Sequence, residues 1–331
     1  MKRSFRILFT LTVIGFLLAA CAPAAQATSS ATLAATVLSS STQAPAILPS
    51  STAAPATVET QYLASLPAPT NTSTPLPSPV PSFTPDPSAK IYKFPHISIA
   101  ISSHLARSAA SKTVPAVKSN KEAWLVAPQY DVVTLGGYPL PKGSYVTPEL
   151  LIFPAQDYAA VNSGAKASLG RLQAILARPT SPLTNQTVPW LPFTPGEQSI
   201  AAQTKLISFT GGSGIRMVTQ YDIFLDPIVT APGDPIVNRL LFYHFEGLSA
   251  DGTTYVIAIL PLQIPVLAND PNPNAHVPQG GVPYPDLGVD ISHFEYFKNI
   301  TAKLNDAGAG DFQPSLDALD AMIMSIDVSQ K

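Results

Sequence analysis

Cysteine is almost missing from this chain. Its 331 residues include a single cysteine, Cys21. An internal disulfide is therefore excluded, and so is a thiolate cage for a metal. Histidine is scarce as well. None of the five stands in His-x-x-x-His spacing with another, so no dedicated zinc site is indicated. Long apolar runs are also lacking. The longest, Ile7 to Leu18, is about 12 residues, whereas a bilayer span takes roughly 20. No dense basic run with interleaved aromatics occurs, which argues against nucleic-acid partners. No internal repeat is visible, and no cofactor fingerprint emerges. The glycines of Gly211-Gly212-Ser213-Gly214 sit between strand-like segments rather than ahead of a helix, so they do not cradle a phosphate.

What is present begins at the N-terminus. Lys2, Arg3 and Arg6 form a positive segment, the apolar run follows, and small residues lead to Cys21. That layout is a secretory signal. Leu18-Ala19-Ala20-Cys21 resembles the lipobox of bacterial lipoproteins. The resemblance covers about the first 21 residues. It implies that residues 1–20 are removed and that Cys21 becomes the acylated N-terminus. Two acyl chains, each adding about 0.8 kcal/mol per buried methylene, anchor a protein stably where one chain does not. The membrane, reached through this anchor, is then the first expected partner.

Residues 22–89 are built from four residue types. Ala, Pro, Thr and Ser supply 50 of the 68 positions, and only Glu59 and Asp86 are charged. Such a stretch cannot bury enough apolar surface to offset its ordering entropy. It reads as a disordered linker, spanning on the order of 45 Å as a coil and roughly 200 Å if fully extended.

Residues 90–331 form the expected globular head, a single α+β domain of mainly antiparallel sheet with a few helices. Its 23 prolines argue for many loops and against a helical bundle. Charge divides unevenly: residues 90–178 carry net +6 and residues 179–331 net −9. Ile97 to Ile101, Tyr130 to Leu135 and Leu150 to Phe153 read as strands. Tyr158, Val161, Ala165, Leu169, Leu172 and Leu176 recur at helical spacing, and Asn162-Ser163-Gly164 is a candidate break. Arg178 to Gly196 reads as a surface loop anchored by Trp190 and Phe193.

Lys205 to Leu262 is rich in strand signals. One hairpin turns through Thr210 to Gly214, and a second through Asp251-Gly252. Centring the second turn on that pair, with a type I′ geometry, puts Phe245 opposite Ala258 and Tyr243 opposite Leu260. His244 then faces Ile259, and Glu246 faces Ile257. Both faces of this hairpin carry bulky apolar residues, so cover is expected on both sides. Leu267 to Val289 reads as a long loop. A helix is expected from Ser292, with Glu295 closing a capping box and Phe294, Phe297, Ile300 and Leu304 buried. A last helix is expected near Pro314, with Leu316, Leu319, Ile323 and Ile326 inward.

Gly212-Ser213-Gly214-Ile215-Arg216, then Thr219-Gln220-Tyr221, then Phe242-Tyr243, Phe245, Gly247-Leu248 and Asp251-Gly252 resemble a block found in uncharacterised bacterial lipoproteins. The resemblance implies no activity. The layout of a curved antiparallel sheet beside helices is similar to the photosystem extrinsic-protein fold, as an analogy of fold alone.

Motifs with chemical meaning are few. Ser163-Gly164-Ala165-Lys166 matches Ser-x-x-Lys, but the Ser-Asp-Asn and Lys-Thr-Gly that penicillin-recognising enzymes also require are missing. Asp270, Asn272 and Asn274 open like a calcium loop, but the sixth position is Ala275 and the twelfth is Gly281, which excludes an EF-hand. The group that stands out is Arg216, Gln220, His244 and Glu246. If their strands are neighbours, these side chains converge either as an anion- or carbonyl-recognising pocket floor, with Arg216 as the forked donor, or as a structural ion pair of Arg216 with Glu246. The structural alternative is favoured. The reading is an exported, lipid-anchored binding or interaction module whose partner is an envelope protein or a small ligand. The competing readings are a hydrolase using Asp286, Asp290 and Glu295, and the solute-binding component of a transporter.

Overall fold

A computed structural model of the chain describes residues 86–119, 122–221, 235–272, 274–285 and 290–328, with only the backbone for 290–293. Residues 1–85, which hold the expected signal segment, Cys21 and most of the expected linker, lie outside the described residues, as does Asp286. The described residues all belong to one compact unit, Pro75–Lys331.

The protein is α+β. Strands β1 (Ala89–Phe94) and β2 (Ile97–Ser102) form a separate antiparallel hairpin. The main sheet holds β3 (Ser108–Val114), β4 (Tyr130–Gly136), β5 (Glu149–Pro154), β6 (Ala202–Phe209), β7 (Gly212–Thr219), β8 (Phe242–Ser249) and β9 (Thr254–Pro261). They lie in the order β3-β4-β5-β9-β8-β7-β6, and every neighbouring pair is antiparallel. The helices are α1 (Ala155–Val161), α2 (Ser163–Ala177), α3 (Asp290–Asp306) and α4 (Leu316–Met324).

The central strands are buried along their whole length, because both faces of the sheet are covered. On one face Val133, Leu150, Val218, Tyr243, Phe245 and Leu260 pack under β2, α3 and α4. On the other, Val132, Leu151, Met217, Phe242, Ile257 and Ile259 pack under α1, α2 and the loop that follows. Pleating accounts for the division, since alternate residues of a strand point to opposite faces.

The β8–β9 register is the one expected, with Phe245 opposite Ala258 and Glu246 opposite Ile257. The turn itself differs. Only Gly252 has a positive φ, +71°, and its amide bonds back to the Ser249 carbonyl at 2.9 Å. The connection is therefore a longer turn with one left-handed residue, not a type I′ pair. Its symmetry about Asp251-Gly252 preserves the register. Across β7 and β8, Gly214 faces Gly247, and the Phe245 ring lies over the pair. A Cβ on Gly214 would stand 2.3 Å from the Glu246 carbonyl oxygen, so only glycine lets the ring settle there.

Asn162 divides the long helical pattern. Its Oδ1 accepts from the Ala165 amide at 2.9 Å as the N-cap of α2. Its Nδ2 donates to the carbonyls of Trp124 and Val126. Val161, expected inside, is exposed, because the break turns it away from α2's inner face. The Arg178–Gly196 loop is pinned as expected. Arg171 stacks 3.9 Å over the Trp190 ring, and the amide of Leu191 donates to Tyr221 Oη at 2.7 Å.

Three boundaries move. β1 starts at Ala89, one residue inside the stretch assigned to the linker. Helix α3 begins at Asp290, two residues before the expected Ser292, and its buried stripe is Tyr296, Ile300 and Leu304. Phe294 is 70% exposed, contrary to expectation. Helix α4 starts at Leu316 behind Ser315, whose hydroxyl accepts from the Ala318 amide. Its inner face of Leu316, Leu319 and Ile323 is fully buried, as expected, and so is Ile326 just past its end.

Candidate functional site

The four polar residues singled out in the sequence do not converge. Arg216 pairs across the ladder with Phe245, and Glu246 pairs with Ile215. Arg216 therefore points to the α3/α4 face, while His244 and Glu246 point to the α1/α2 face. Gln220 lies beyond the end of β7 and is tied elsewhere. Its Nε2 donates to the Pro235 carbonyl at 3.0 Å, and its Oε1 accepts from the Val237 amide at 2.9 Å. The Arg216–Glu246 pair is thus replaced by two separate buried clusters.

In the first cluster, Arg216 Nε stands 3.2 Å from Asp320 Oδ1 on α4. Asp320 also accepts from Lys205 Nζ and Tyr243 Oη, each at 3.0 Å. Arg216 Nη1 donates to the Gln203 carbonyl. Gln203 occupies a bulge in β6 with φ +53°, and its Nε2 donates to the carbonyls of Leu304, Asn305 and Ala307 at the end of α3. Orphan carbonyls at a helix C-terminus need such donors. The chain of contacts ties α4, the sheet and the end of α3 together.

In the second cluster, His244 Nε2 approaches Glu246 Oε1 to 3.0 Å, off the hydrogen-bonding angle, with both side chains fully buried. Glu246 Oε2 accepts from Ser168 Oγ at 2.8 Å and from Tyr255 Oη. Ser168 Oγ in turn accepts from the Trp190 amide at 3.1 Å. Burial, followed by the charge of Glu246, drives the Tyr255 phenol well above its ordinary value. The Tyr158 hydroxyl and His244 Nδ1 are buried without a hydrogen bond. The first cluster reaches solvent only through Lys205, the second is fully buried, and none of the four described clefts is lined by Arg216, Gln220, His244 or Glu246. A histidine and a carboxylate sealed in this way have no path to a substrate.

Two of these clefts gather polar side chains of interest. One of about 480 Å³ lies in the loop after β9, beside Asn238, Gln263, Asp270, His276 and Gln313. There the carboxylate of Asp270 and the amide of Asn272 each accept a backbone amide two residues on, forming local turns. The calcium-like spacing is therefore turn chemistry. Among the described residues no His/Cys/Asp/Glu group is placed to hold a metal.

The other cleft, about 380 Å³, sits at the end of the sheet. The β1–β2 turn brings His96, β3 brings Thr113, β4 brings Tyr130 and Asp131, β5 brings Phe153, α1 brings Asp157, and the β8–β9 turn brings Thr253 and Thr254. Asp131 is only 6% exposed. Its Oδ1 accepts from Thr113 Oγ1 at 2.7 Å, and its Oδ2 lies 3.7 Å from His96 Nε2. The Tyr130 ring stacks on Phe153 at 4.5 Å, and Phe153 stacks on Tyr158 at 4.2 Å. Sequence reading passed over this group. Its signal was Asp131, a carboxylate set directly before the apolar strand residues Val132 and Val133.

Glu295 is exposed on α3 with Lys298 Nζ 3.5 Å away, and the side chains of Asp286 and Asp290 lie outside the described residues. No helix among the described residues is long and apolar enough to cross a membrane. No protein-family model, curated protein or solved structure matches the chain.

Proposed function

We propose that this chain is exported, acylated at Cys21 and held at a membrane surface, where residues 90–331 serve as a binding or contact module. The observation that carries the reading is the position of the sole cysteine, directly behind a charged segment, an apolar run of about 12 residues and Leu18-Ala19-Ala20. The binding role draws support from the head. Its open clefts lie at loops and at the sheet end, while His244 and Glu246, the pair that resembles catalytic groups, are sealed inside. The hydrolase reading loses ground because Glu295 sits in solvent, salt-bridged to its own helix neighbour. A two-lobed solute-binding protein is built from repeating strand–helix units around parallel sheets, and this sheet is antiparallel throughout.

The test is the mass of the mature N-terminus in protein extracted from the membranes of an expressing bacterium. A chain beginning at Cys21 with a diacylglyceryl adduct is expected, and Cys21→Ala is expected to abolish both the processing and the adduct. A mature chain starting elsewhere, or carrying a free Cys21 thiol, defeats the proposal.

A further inference from the structure

We infer that the cleft at the end of the sheet is a binding site for a small organic ammonium ion with an apolar body. The inference deepens the binding-module reading and rests on it. Three observations converge. Asp131 is a buried carboxylate lining the cleft whose Oδ2 accepts no hydrogen bond among the described residues, with the exposed His96 imidazole 3.7 Å away, while Thr113 holds Oδ1 at 2.7 Å and so fixes the orientation. Asp157 adds a second carboxylate, no lysine or arginine contributes, and the imidazole of the lining, His96, stands beside Asp131. The remaining wall is mixed: the half-buried Tyr130 ring, Phe153, Ile152 and three prolines give it an apolar side, and Gln129, Thr253 and Thr254 give it neutral polar groups.

A buried carboxylate with a free lone pair attracts a cation. An aromatic wall favours a cation carried on an apolar or aromatic frame over a heavily hydrated one. An anion finds no lysine or arginine in this cleft, and two carboxylates, Asp131 and Asp157, repel it. A divalent metal finds no group of ligands among the described residues. The volume, about 380 Å³, is in the range that holds a small ligand, roughly 300–1,000 Å³.

The experiment is calorimetric titration of the detergent-solubilised full chain with phenethylamine hydrochloride, with 2-phenylethanol as the neutral isostere and methyl glucoside as a polyol. The ammonium ion is expected to bind about tenfold or more tightly than the alcohol, because Asp131 is buried and a charge-assisted bond to a carboxylate is stronger than a neutral one. Asp131→Asn, which keeps the Thr113 bond, is expected to remove that preference while the melting temperature holds. Should Asp131→Asn fail to fold, the ammonium–alcohol comparison on the native chain decides alone. Equal binding of the two, no binding of phenethylamine, or binding of the glucoside alone overturns the inference. The N-terminal mass is an independent readout. An acylated Cys21 with an empty cleft defeats the ligand and spares the anchor. An unmodified Cys21 with an ammonium-selective cleft does the reverse.

Discussion

Asp320 shows what a single buried charge does in this protein. It stands between Arg216, Lys205 and Tyr243, with almost no exposed surface. Its partners are unequal. Lys205 is about half exposed, and an exposed ion pair contributes only about 0–1 kcal/mol. Arg216 is buried, so removing Asp320 strands a guanidinium in the core. Asp320→Ala is expected to destabilise the fold by about 3–5 kcal/mol, and Lys205→Ala by no more than about 1 kcal/mol, in denaturant melts. Arg216→Lys keeps the charge but loses the fork that spans Asp320 and the Gln203 carbonyl. It is expected to lower stability by about 1–3 kcal/mol. If the cluster is structural, the paired replacement Arg216→Met with Asp320→Leu should recover most of the Asp320→Ala loss, since an apolar pair of similar volume often substitutes for a buried ion pair. A paired variant no more stable than Asp320→Ala contradicts that account. Asp320 was not legible in the sequence. On α4 it sits one position after Leu319, and carboxylates beside an apolar stripe usually face water.

At the scale of the element, Asn162 is one side chain serving two segments. It caps α2 through Oδ1 and holds the Trp124–Val126 turn through Nδ2. Asn162→Asp keeps the cap and loses the donors, whereas Asn162→Ala loses both. The alanine variant is expected to cost about 2–3 kcal/mol and the aspartate variant about 1–2 kcal/mol, measured by urea unfolding. Equal losses would mean that the cap contributes nothing. The elements that sequence located well are those whose signals are local. The β8–β9 register followed from a turn centred on Asp251-Gly252, and the α4 stripe from its spacing. The relation of β7 to β8 was not local. Residues 220–241 separate the two strands, so no short turn sets their register. A shift of one residue exchanges the faces of a strand. That shift is the difference between Arg216 beside Glu246 and Arg216 opposite Phe245. The Asp131 cleft failed to appear for a related reason. Its walls come from β1–β2, β3, β4, β5, α1 and the β8–β9 turn, a gathering that only the completed sheet produces.

Over the whole molecule, the sheet separates two cores, and each holds phenols whose protons the fold retains. Tyr243 donates to Asp320 on one side, and Tyr255 donates to Glu246 on the other. Tyr138 donates to the Pro261 carbonyl at 2.8 Å, and Tyr221 to Gln198 Oε1 at 3.1 Å. Burial is the main reason that these phenols, with Tyr158, lie well above the ordinary range, and adjacent carboxylates push Tyr243 and Tyr255 further. Tyr296 is pushed up to about 12, again chiefly by burial. In the unfolded chain all of them ionise near about pH 10. Above that pH the unfolded state therefore binds fewer protons than the native one. Stability is fully present below about pH 10 and declines as pH climbs toward the higher native values. The expected outcome is a cooperative alkaline unfolding in which phenolate ultraviolet absorbance rises together with loss of the sheet's circular dichroism. Tyr255→Phe removes one of these protons from the balance, so stability measured in urea should fall less steeply with pH above about 10 than in the native chain. Gradual ionisation of every phenol near that pH, with the sheet signal intact, would show that these side chains reach water and that the two cores are not sealed.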